Sequence, residues 1–131
     1  DPNALQVAVA AAQAVERIGM PEARIILSQA ALYVATAPKS NACYMAIDKA
    51  LDVVKNSKTA PVPVHLQDPH YKGSAKLGHG VGYLYAHDYP NHYVRQQYLP
   101  DAYVNEKFYE PGDMGYERDI KKHLDKIKSE A

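Results

Sequence analysis

The sequence opens with DPNALQVAVAAAQAVERIGMPEARIILSQAALYVATAP (residues 1–38), and this stretch decides the fold class. Asp1 and Pro2 suit the N-cap and first position of a helix. An acidic side chain at the N-cap accepts hydrogen bonds from the free backbone amides, and proline at the first position has no backbone N–H that would need a partner. Gly19 and Pro21 predict the end of this helix and the start of a second one, up to Pro38. Apolar residues recur at helical spacing in both helices. The first helix has one stripe of Leu5, Ala8, Val9 and Ala12 and another of Val7, Ala11, Ala14, Val15 and Ile18; the second has Leu27, Ala30, Ala31 and Val34.

Because the first helix is apolar on nearly all sides, we expect it to be central and buried. A third helix follows, capped by Ser40 or Asn41, with one apolar face. That face consists of Cys43, Ile47, Ala50 and Val54. Three helices joined by short turns predict an antiparallel three-helix bundle over residues 1–58. Its position on an apolar face predicts that Cys43 is a small core residue.

Residues 59–111 have a different composition. They hold eight of the eleven tyrosines, five of the six histidines and six of the nine prolines. The prolines interrupt regular structure, yet the aromatic content is too high for a disordered linker. We expect an ordered, irregular segment laid over a helical surface, with one short β-hairpin around Val81–Tyr85 as an option. Tyr83, Tyr85, Tyr89, Tyr93 and Tyr98 are the candidate subunit-contact or packing residues, because tyrosine buries a ring and keeps its hydroxyl at a polar edge.

Residues 112–131 return to helical periodicity. Asp113 or Gly115 is the candidate cap, and the apolar side carries Tyr116, Ile120, Leu124 and Ile127. The whole chain therefore reads as one mainly all-α domain, residues 1–131, built from a helical bundle, an irregular segment and a C-terminal helix. No stretch is apolar enough to predict a membrane span. The single Cys43 excludes an intrachain disulfide and fits a reducing, cytoplasmic location.

The charge pattern argues against an autonomous nucleic-acid-binding module. Fifteen basic and fifteen acidic side chains give a net charge of zero. The balance also holds locally: residues 1–58 carry six basic and five acidic side chains, residues 59–110 four and five, and residues 111–131 five and five. Modules that bind duplexes usually have a one-sided basic excess, since phosphate contacts supply most of the affinity.

Two patterns suggest chemistry, and both are weak. GSAKLGHG (residues 73–80) has the glycine spacing of a phosphate loop, but His79 and Gly80 stand where lysine and serine or threonine belong. A glycine-rich turn is the better interpretation. Five histidines spread over 28 residues lack the tight spacing of a zinc site, and hydrogen-bonded loop histidines are expected instead. They are His65, His70, His79, His87 and His92. We therefore predict no catalytic, cofactor-binding or metal-ligating residue.

Five segments, in this order, resemble the C-terminal region of the replication-associated recombination protein A family of AAA+ ATPases, also called MgsA-type and related to Werner helicase-interacting proteins. They are AAAQAVERIGMPE (10–22), APKSN (37–41), LGHGVGY (77–83), HDYP (87–90) and QQYLP (96–100). The similarity covers essentially all 131 residues.

The resemblance implies an all-α domain that assembles full-length subunits into homotetramers. It also implies a preceding ATPase core that holds ATP and magnesium, contact of the full-length protein with DNA and single-strand-binding protein, a nucleoid-associated location, and a role in fork maintenance, repair and recombination. The family's Walker and sensor residues match no position here. The leading hypothesis is a non-catalytic assembly domain. The alternatives are a DNA-binding module that contacts single-stranded or forked DNA, and a small enzyme built on the histidine-rich segment.

Overall fold

The computed structural model describes residues 1–57, 60–70 and 72–130, and within these ranges the chain is helical with no β-strand. Four helices of 14 to 16 residues carry the fold, and a single helical turn lies between the third and the last. They are α1 (Asn3–Ile18), α2 (Ala23–Thr36), α3 (Ala42–Asn56), α4 (Ser74–Leu77) and α5 (Gly115–Ser129). The predicted all-α class is confirmed. No described helix is both long and apolar enough to cross a membrane.

The chain divides into two compact units, each described by itself. The first comprises Asp1–Asn41 with Pro111–Lys121, and the second Ala42–Glu110 with Lys122–Ala131. The three-helix bundle over residues 1–58 and the single domain stay predictions.

Helices α1 and α2 pack together as an antiparallel hairpin in the first unit. The Tyr33 hydroxyl, near the end of α2, donates to the Asp1 carboxylate at 3.2 Å, beside the start of α1. Asp1 also accepts the Asn3 amide at 2.7 Å, which satisfies one of the free N–H groups of the first turn. Gly19 ends α1 with a φ of +74°, in the region that favours glycine. The two helices pack closely at Ala11, in the middle of α1, and at Ala23, the first residue of α2, and both alanines are buried.

Helix α5 begins beside the end of α2 in the first unit. Gly115 has a φ of +55°, and a Cβ on it would meet the Pro38 ring at 3.0 Å. The Glu117 carboxylate accepts the Gly112 amide at 2.9 Å, while Asp113 pairs with Lys121 at 2.6 Å. Glycine at this position is thus what permits the close approach of α5 to Pro38.

In residues 60–70 and 72–110, the irregular segment of the second unit consists of turns, four short 3-10 helices and α4. The β-hairpin considered around Val81–Tyr85 is absent. Residues 81 and 82 form a turn in which the Tyr83 amide donates to Gly80 at 3.2 Å. The backbone of Leu84 pairs with the side chain of Gln96, not with a neighbouring strand.

Candidate interaction surfaces

The apolar side chains of this chain are mostly exposed. Among the described residues, the buried apolar side chains are Ala11, Ala23 and Val94. Large apolar side chains with at least a third of their surface exposed occur in every long helix. A globular domain normally covers one face of each helix with another layer of structure. The exposed faces are therefore the primary candidates for a functional site.

The outer stripe of α1 is one of these faces. Val7, Ala11, Ala14 and Val15 of the second predicted stripe lie against α2, whereas Ile18 at the end of that stripe is 55% exposed and Leu5 of the first stripe is 75% exposed. The expectation that α1 is buried on all sides is therefore wrong within this chain. One of its two apolar stripes is covered here, except at Ile18, and the other is exposed.

Helix α2 carries a matching stripe. Ala23, Ile26, Ala30 and Tyr33 are its most buried positions, while Leu27 and Val34 are 49% and 46% exposed. At about 100° per residue, Leu27, Ala31 and Val34 lie roughly 90° around the helix from the buried stripe.

The exposed stripes of α1 and α2 lie on the same side of the hairpin. Leu5, Ala8 and Ala12 are rotated from the buried stripe of α1 by about the same angle and in the same sense as the α2 stripe. Equal rotations about two antiparallel helices point to the same side of the pair. The resulting surface, here called the hairpin face, consists of Leu5, Ala8, Ala12, Leu27, Ala31 and Val34.

The opposite side of the hairpin is mixed. It carries Gln6, Gln13 and Arg17 from α1 with Gln29 and Thr36 from α2, all exposed. It also carries Ile25 and Leu32, which are 65% and 62% exposed, so apolar side chains are exposed on both sides of the hairpin. Covering the exposed parts of Leu5, Leu27 and Val34 would contribute roughly 3–5 kcal/mol per chain, at 1.5–3 kcal/mol for a whole side chain.

Helix α3 presents a second apolar surface, in the second unit. Ala42, Ala46, Ala50 and Val53 are its less exposed positions. The predicted core position of Cys43 is wrong, because this side chain is exposed. The helix turns its small alanines inward, where they permit close packing, and leaves its larger side chains outside. The exposed stripe, here called the α3 stripe, consists of Cys43, Ile47, Leu51 and Val54.

Lys49 holds α3 to the chain segment that follows the irregular region. Its ammonium lies 3.0 Å from the Glu106 carboxylate and donates to the Lys107 carbonyl at 2.6 Å. It also lies 5.8 Å from the ring centre of Phe108. Lys49 shares the inward side of α3 with the alanines, so residues 106–108 are fixed along that side.

Glutamine side chains stabilise the irregular segment by pairing with backbone groups. Gln96 donates to the Leu84 carbonyl at 2.8 Å and accepts the Leu84 amide at 3.2 Å. The side-chain amide of Gln97 donates to the Leu99 carbonyl at 2.8 Å and to the Asp101 carboxylate at 2.6 Å. The backbone carbonyl of Gln97 lies 2.7 Å from His65 Nε2. These bonds take the place of regular secondary structure, because backbone groups need partners wherever the chain packs.

The five candidate tyrosines fall into two groups. Tyr83 and Tyr85 flank Leu84, and Tyr98 accepts a hydrogen bond from Gln96 at 3.2 Å, so these three surround the Leu84–Gln96 pairing. Their residues are 48%, 53% and 52% exposed. Tyr89 and Tyr93 flank the turn at Pro90–His92, where the His92 amide donates to Tyr89 at 3.1 Å. Tyr93, next to the buried Val94, is less exposed than the others.

The glycine-rich turn uses its amides within the protein. The His79 amide donates to Ser74, the Gly80 amide to Val64 and the Val81 amide to Gly78, at 2.9–3.2 Å. The Ser74 hydroxyl is buried and donates to the Pro69 carbonyl. A phosphate loop needs such amides free to face the anion. The geometry of residues 73–80 therefore favours the interpretation as a glycine-rich turn over that as a phosphate loop.

The histidines of the segment are spread over separate sites. The rings of His87 and His92 lie 4.8 Å apart, and His87 also contacts the Tyr85 ring at 5.1 Å. His65 bonds Gln97, and His70 bonds Asp68. Within residues 1–57, 60–70 and 72–130, no three His, Cys, Asp or Glu side chains come together as metal ligands.

Comparison with known proteins identifies the family. The family described as MgsA AAA+ ATPase C terminal matches residues 1–128. The chain is 50% identical over 128 residues to an uncharacterized AAA domain-containing protein of Mycobacterium tuberculosis, covering 98% of this chain and 28% of that protein. It is 46% identical over 118 residues to replication-associated recombination protein A of Bacillus subtilis, covering 89% and 28%. It is 39% identical over 111 residues to the ATPase WRNIP1 of Dictyostelium discoideum, covering 84% and 13%.

An all-helical chain that matches these proteins over nearly its whole length is a C-terminal domain of AAA+ ATPases. It spans less than a third of the length of the relatives just named. More narrowly, the chain belongs to the MgsA AAA+ ATPase C-terminal family. The predicted resemblance is confirmed.

The hairpin face is the feature that the sequence-based interpretation missed. Helical periodicity correctly grouped its residues, but both stripes were assigned to the interior of one chain. The sequence did contain a signal for this exposed face, namely the number of neighbouring helices that such an apolar helix requires. A helix apolar on nearly all sides needs covering layers all around it, and 131 residues with an irregular middle offer few.

Proposed function

We propose that this chain is the homotetramerisation domain of a larger AAA+ ATPase that acts in replication-fork maintenance, DNA repair and recombination. The replication and recombination context is supported by the names of the relatives, which include replication-associated recombination protein A, and the ATPase by the name of the ATPase WRNIP1. The assembly role is supported chiefly by the exposed apolar side chains of α1, α2 and α3.

Two separate apolar surfaces favour a tetramer over a dimer. One self-complementary surface closes a two-fold dimer, and a second one joins two dimers into a closed tetramer. We assign these two roles to the hairpin face and the α3 stripe, whose apolar side chains are exposed on different units of the chain. The half-exposed tyrosines of the irregular segment are suited to the rims, because aromatic side chains are enriched at protein interfaces.

In this proposal the domain has no catalytic role of its own. ATP and magnesium would bind to the AAA+ core of the full-length protein, as would DNA, and contact with single-strand-binding protein would also belong to that protein. The 131-residue chain is expected to hydrolyse no ATP, with or without DNA. Hydrolysis by the purified chain that survives further purification would contradict this part of the proposal.

Light scattering or sedimentation equilibrium of the 131-residue chain tests the assembly role directly. At tens of micromolar we expect a particle of four times 14.5 kDa. A monomer at that concentration would overturn the proposal. A titration with single-stranded and forked DNA at two salt concentrations tests the alternative, because a DNA-binding module would show affinity that falls steeply with salt. We expect no such binding from the chain alone, given its zero net charge.

A further inference from the structure

Two histidine side chains of the irregular segment lie against each other. The ring centres of His87 and His92 are 4.8 Å apart, and the ring planes are inclined by 51°. Both residues are exposed, so a small solute can reach the two rings. The neutral imidazole is the commonest metal ligand among protein side chains. A pair of exposed imidazoles at this distance is therefore a candidate site for a metal ion.

An uncommon backbone conformation brings the two rings together. Asn91 and His92 have φ values of +56° and +52°, in the left-handed region that few residues other than glycine adopt. This turn after Pro90 returns the ring of His92 to that of His87, five positions earlier in the sequence. Backbone conformations of this kind are concentrated at ligand sites. Spacing along the sequence did not predict the pair, because the contact depends on the turn.

The turn that carries His92 is anchored by side chains on both sides of it. The Asn91 side-chain amide donates to the Glu130 carboxylate at 2.6 Å, and the Arg95 guanidinium donates to the Lys128 carbonyl. Both acceptors lie at the C-terminal end of α5 or directly after it, in the same unit of the chain. The backbone of the turn is therefore fixed, whereas the exposed rings can rotate to direct one nitrogen each at a common ion.

We propose that His87 and His92 form a binding site for a divalent transition-metal ion of the class that prefers imidazole, such as Zn²⁺, Ni²⁺ or Cu²⁺. At a zinc–nitrogen distance of about 2.0–2.1 Å, each ring centre lies roughly 3.2 Å from the ion. Ligand angles of roughly 90–110° then require ring centres about 4.5–5.2 Å apart. The observed separation of 4.8 Å falls in this range. The site is independent of the proposed assembly function.

Water completes the coordination shell of the ion in this proposal. Over residues 1–57, 60–70 and 72–130, no group of three His, Cys, Asp or Glu side chains is arranged to hold a metal. Closed structural zinc sites have four protein ligands, so a site with two is open and exchanges its ion readily. Two nitrogen ligands also discriminate against Mg²⁺, which prefers oxygen.

Calorimetric titration of the 131-residue chain with zinc chloride tests the site, at about pH 7.5, where an ordinary imidazole is neutral. We expect Zn²⁺ to bind and magnesium chloride to give no binding. His87→Asn and His92→Asn each remove one ligand at an exposed position and keep a polar side chain. Loss of a group that only supports a metal ligand costs about tenfold or more in affinity, so we expect each variant to lose at least about tenfold.

His70→Asn is the matched control. His70 is exposed in the same segment but pairs with the Asp68 carboxylate at 2.8 Å, away from the proposed site. We expect this variant to bind Zn²⁺ as the parent chain does. A loss of affinity as large as that of the other two variants would overturn the assignment.

NMR of the parent chain provides a second measurement that needs no variant. Zn²⁺ should shift the ring resonances of His87 and His92 and leave those of His70 and His123 unchanged. It should also slow hydrogen exchange of the His92 amide, which bonds the Tyr89 carbonyl at 3.1 Å within the turn. A dissociation constant above about 1 mM for Zn²⁺ would overturn the proposal. Zn²⁺ binding that His87→Asn and His92→Asn leave unchanged, or ring shifts confined to other histidines, would do the same.

Discussion

The ammonium of Lys49 lies 3.0 Å from the carboxylate of Glu106, across 57 positions of sequence. This pair connects α3 with the chain that leaves the irregular segment. The same ammonium bonds the Lys107 carbonyl and lies over the Phe108 ring. One side chain therefore fixes the end of the irregular segment on the inward side of α3.

Replacing Lys49 should loosen that attachment. Lys49→Met keeps the apolar stem and removes the ion pair, the hydrogen bond and the cation–π contact. Both partners of the ion pair are partly exposed, so solvent screens it, and we expect a loss of about 1–2 kcal/mol in the free energy of unfolding. Urea denaturation measures the change. Lys55→Met on the outer side of α3 is the control, expected to change stability by less than about 0.5 kcal/mol.

A pair of glycines separates backbone strain from close packing. Gly80 and Gly82 have φ values of +75° and +84°, but a Cβ on Gly80 would meet the Pro69 ring at 3.0 Å and one on Gly82 would meet nothing within 4 Å. The proline ring is rigid and cannot rotate away. We expect Gly82→Ala to cost about 1 kcal/mol and Gly80→Ala about 2–3 kcal/mol. Thermal and urea unfolding of both variants provide the comparison. Equal losses in the free energy of unfolding would show that the Pro69 ring moves aside.

The pairing of Gln96 with Leu84 predicts a local effect on hydrogen exchange. Gln96→Leu removes both bonds and leaves the Leu84 amide to solvent. We expect its exchange to become faster by about tenfold, because each lost bond is worth about 1 kcal/mol. Backbone amide exchange followed by NMR measures this rate, with the Gly19 amide, which donates to the Val15 carbonyl at the end of α1, as the internal reference. An unchanged Leu84 rate would contradict the pairing.

The sequence predicted the helices well because their boundaries depend on local chemistry. Gly19, Pro21 and Pro38 separate the first three helices as expected. The prediction of which helix faces are buried and which are exposed was wrong. Periodicity groups Cys43 with Ile47, or Leu27 with Val34, but the layer that covers them is decided elsewhere. The exposed hairpin face and the inward turn of the alanines in α3 required the structure.

The irregular segment could be predicted only as irregular. Its order depends on long-range pairs such as Gln96 with Leu84 and His65 with Gln97, which are 12 and 32 residues apart. Glutamine has no positional signature in such a segment, unlike proline or glycine in a turn. The tyrosines were recognised by density, and their assignment to contacts within or between subunits stays a prediction.

Asp68 predicts a small acid-dependent effect on stability. The His70 backbone amide, followed by the His70 ring, hydrogen-bonds the carboxylate and lowers the pKa of Asp68 below its ordinary value of 3.8. A pKa that is lower in the folded state stabilises the protein above about pH 4, and this contribution is lost as the pH falls through the folded pKa. We expect Asp68→Asn to lower the melting temperature slightly above that range and to match the parent chain below it. A difference that grows on acidification would contradict this sign.

The tyrosines that flank the Pro90–His92 turn provide the test of the irregular segment. Tyr89 is 36% exposed and Tyr93 less exposed than its neighbours, beside the buried Val94. We expect the double substitution Tyr89→Ala with Tyr93→Ala to lower either the melting temperature or the sedimentation mass, because two aromatic rings lose their packing. A melting temperature that falls equally at all protein concentrations would place both rings in the subunit's own packing. A fall that depends on concentration, with a lower mass, would place them at a subunit contact. Tyr116→Ala, at an exposed position on α5, is the control, and no change in either quantity for the double variant would remove these two tyrosines from the candidate surface.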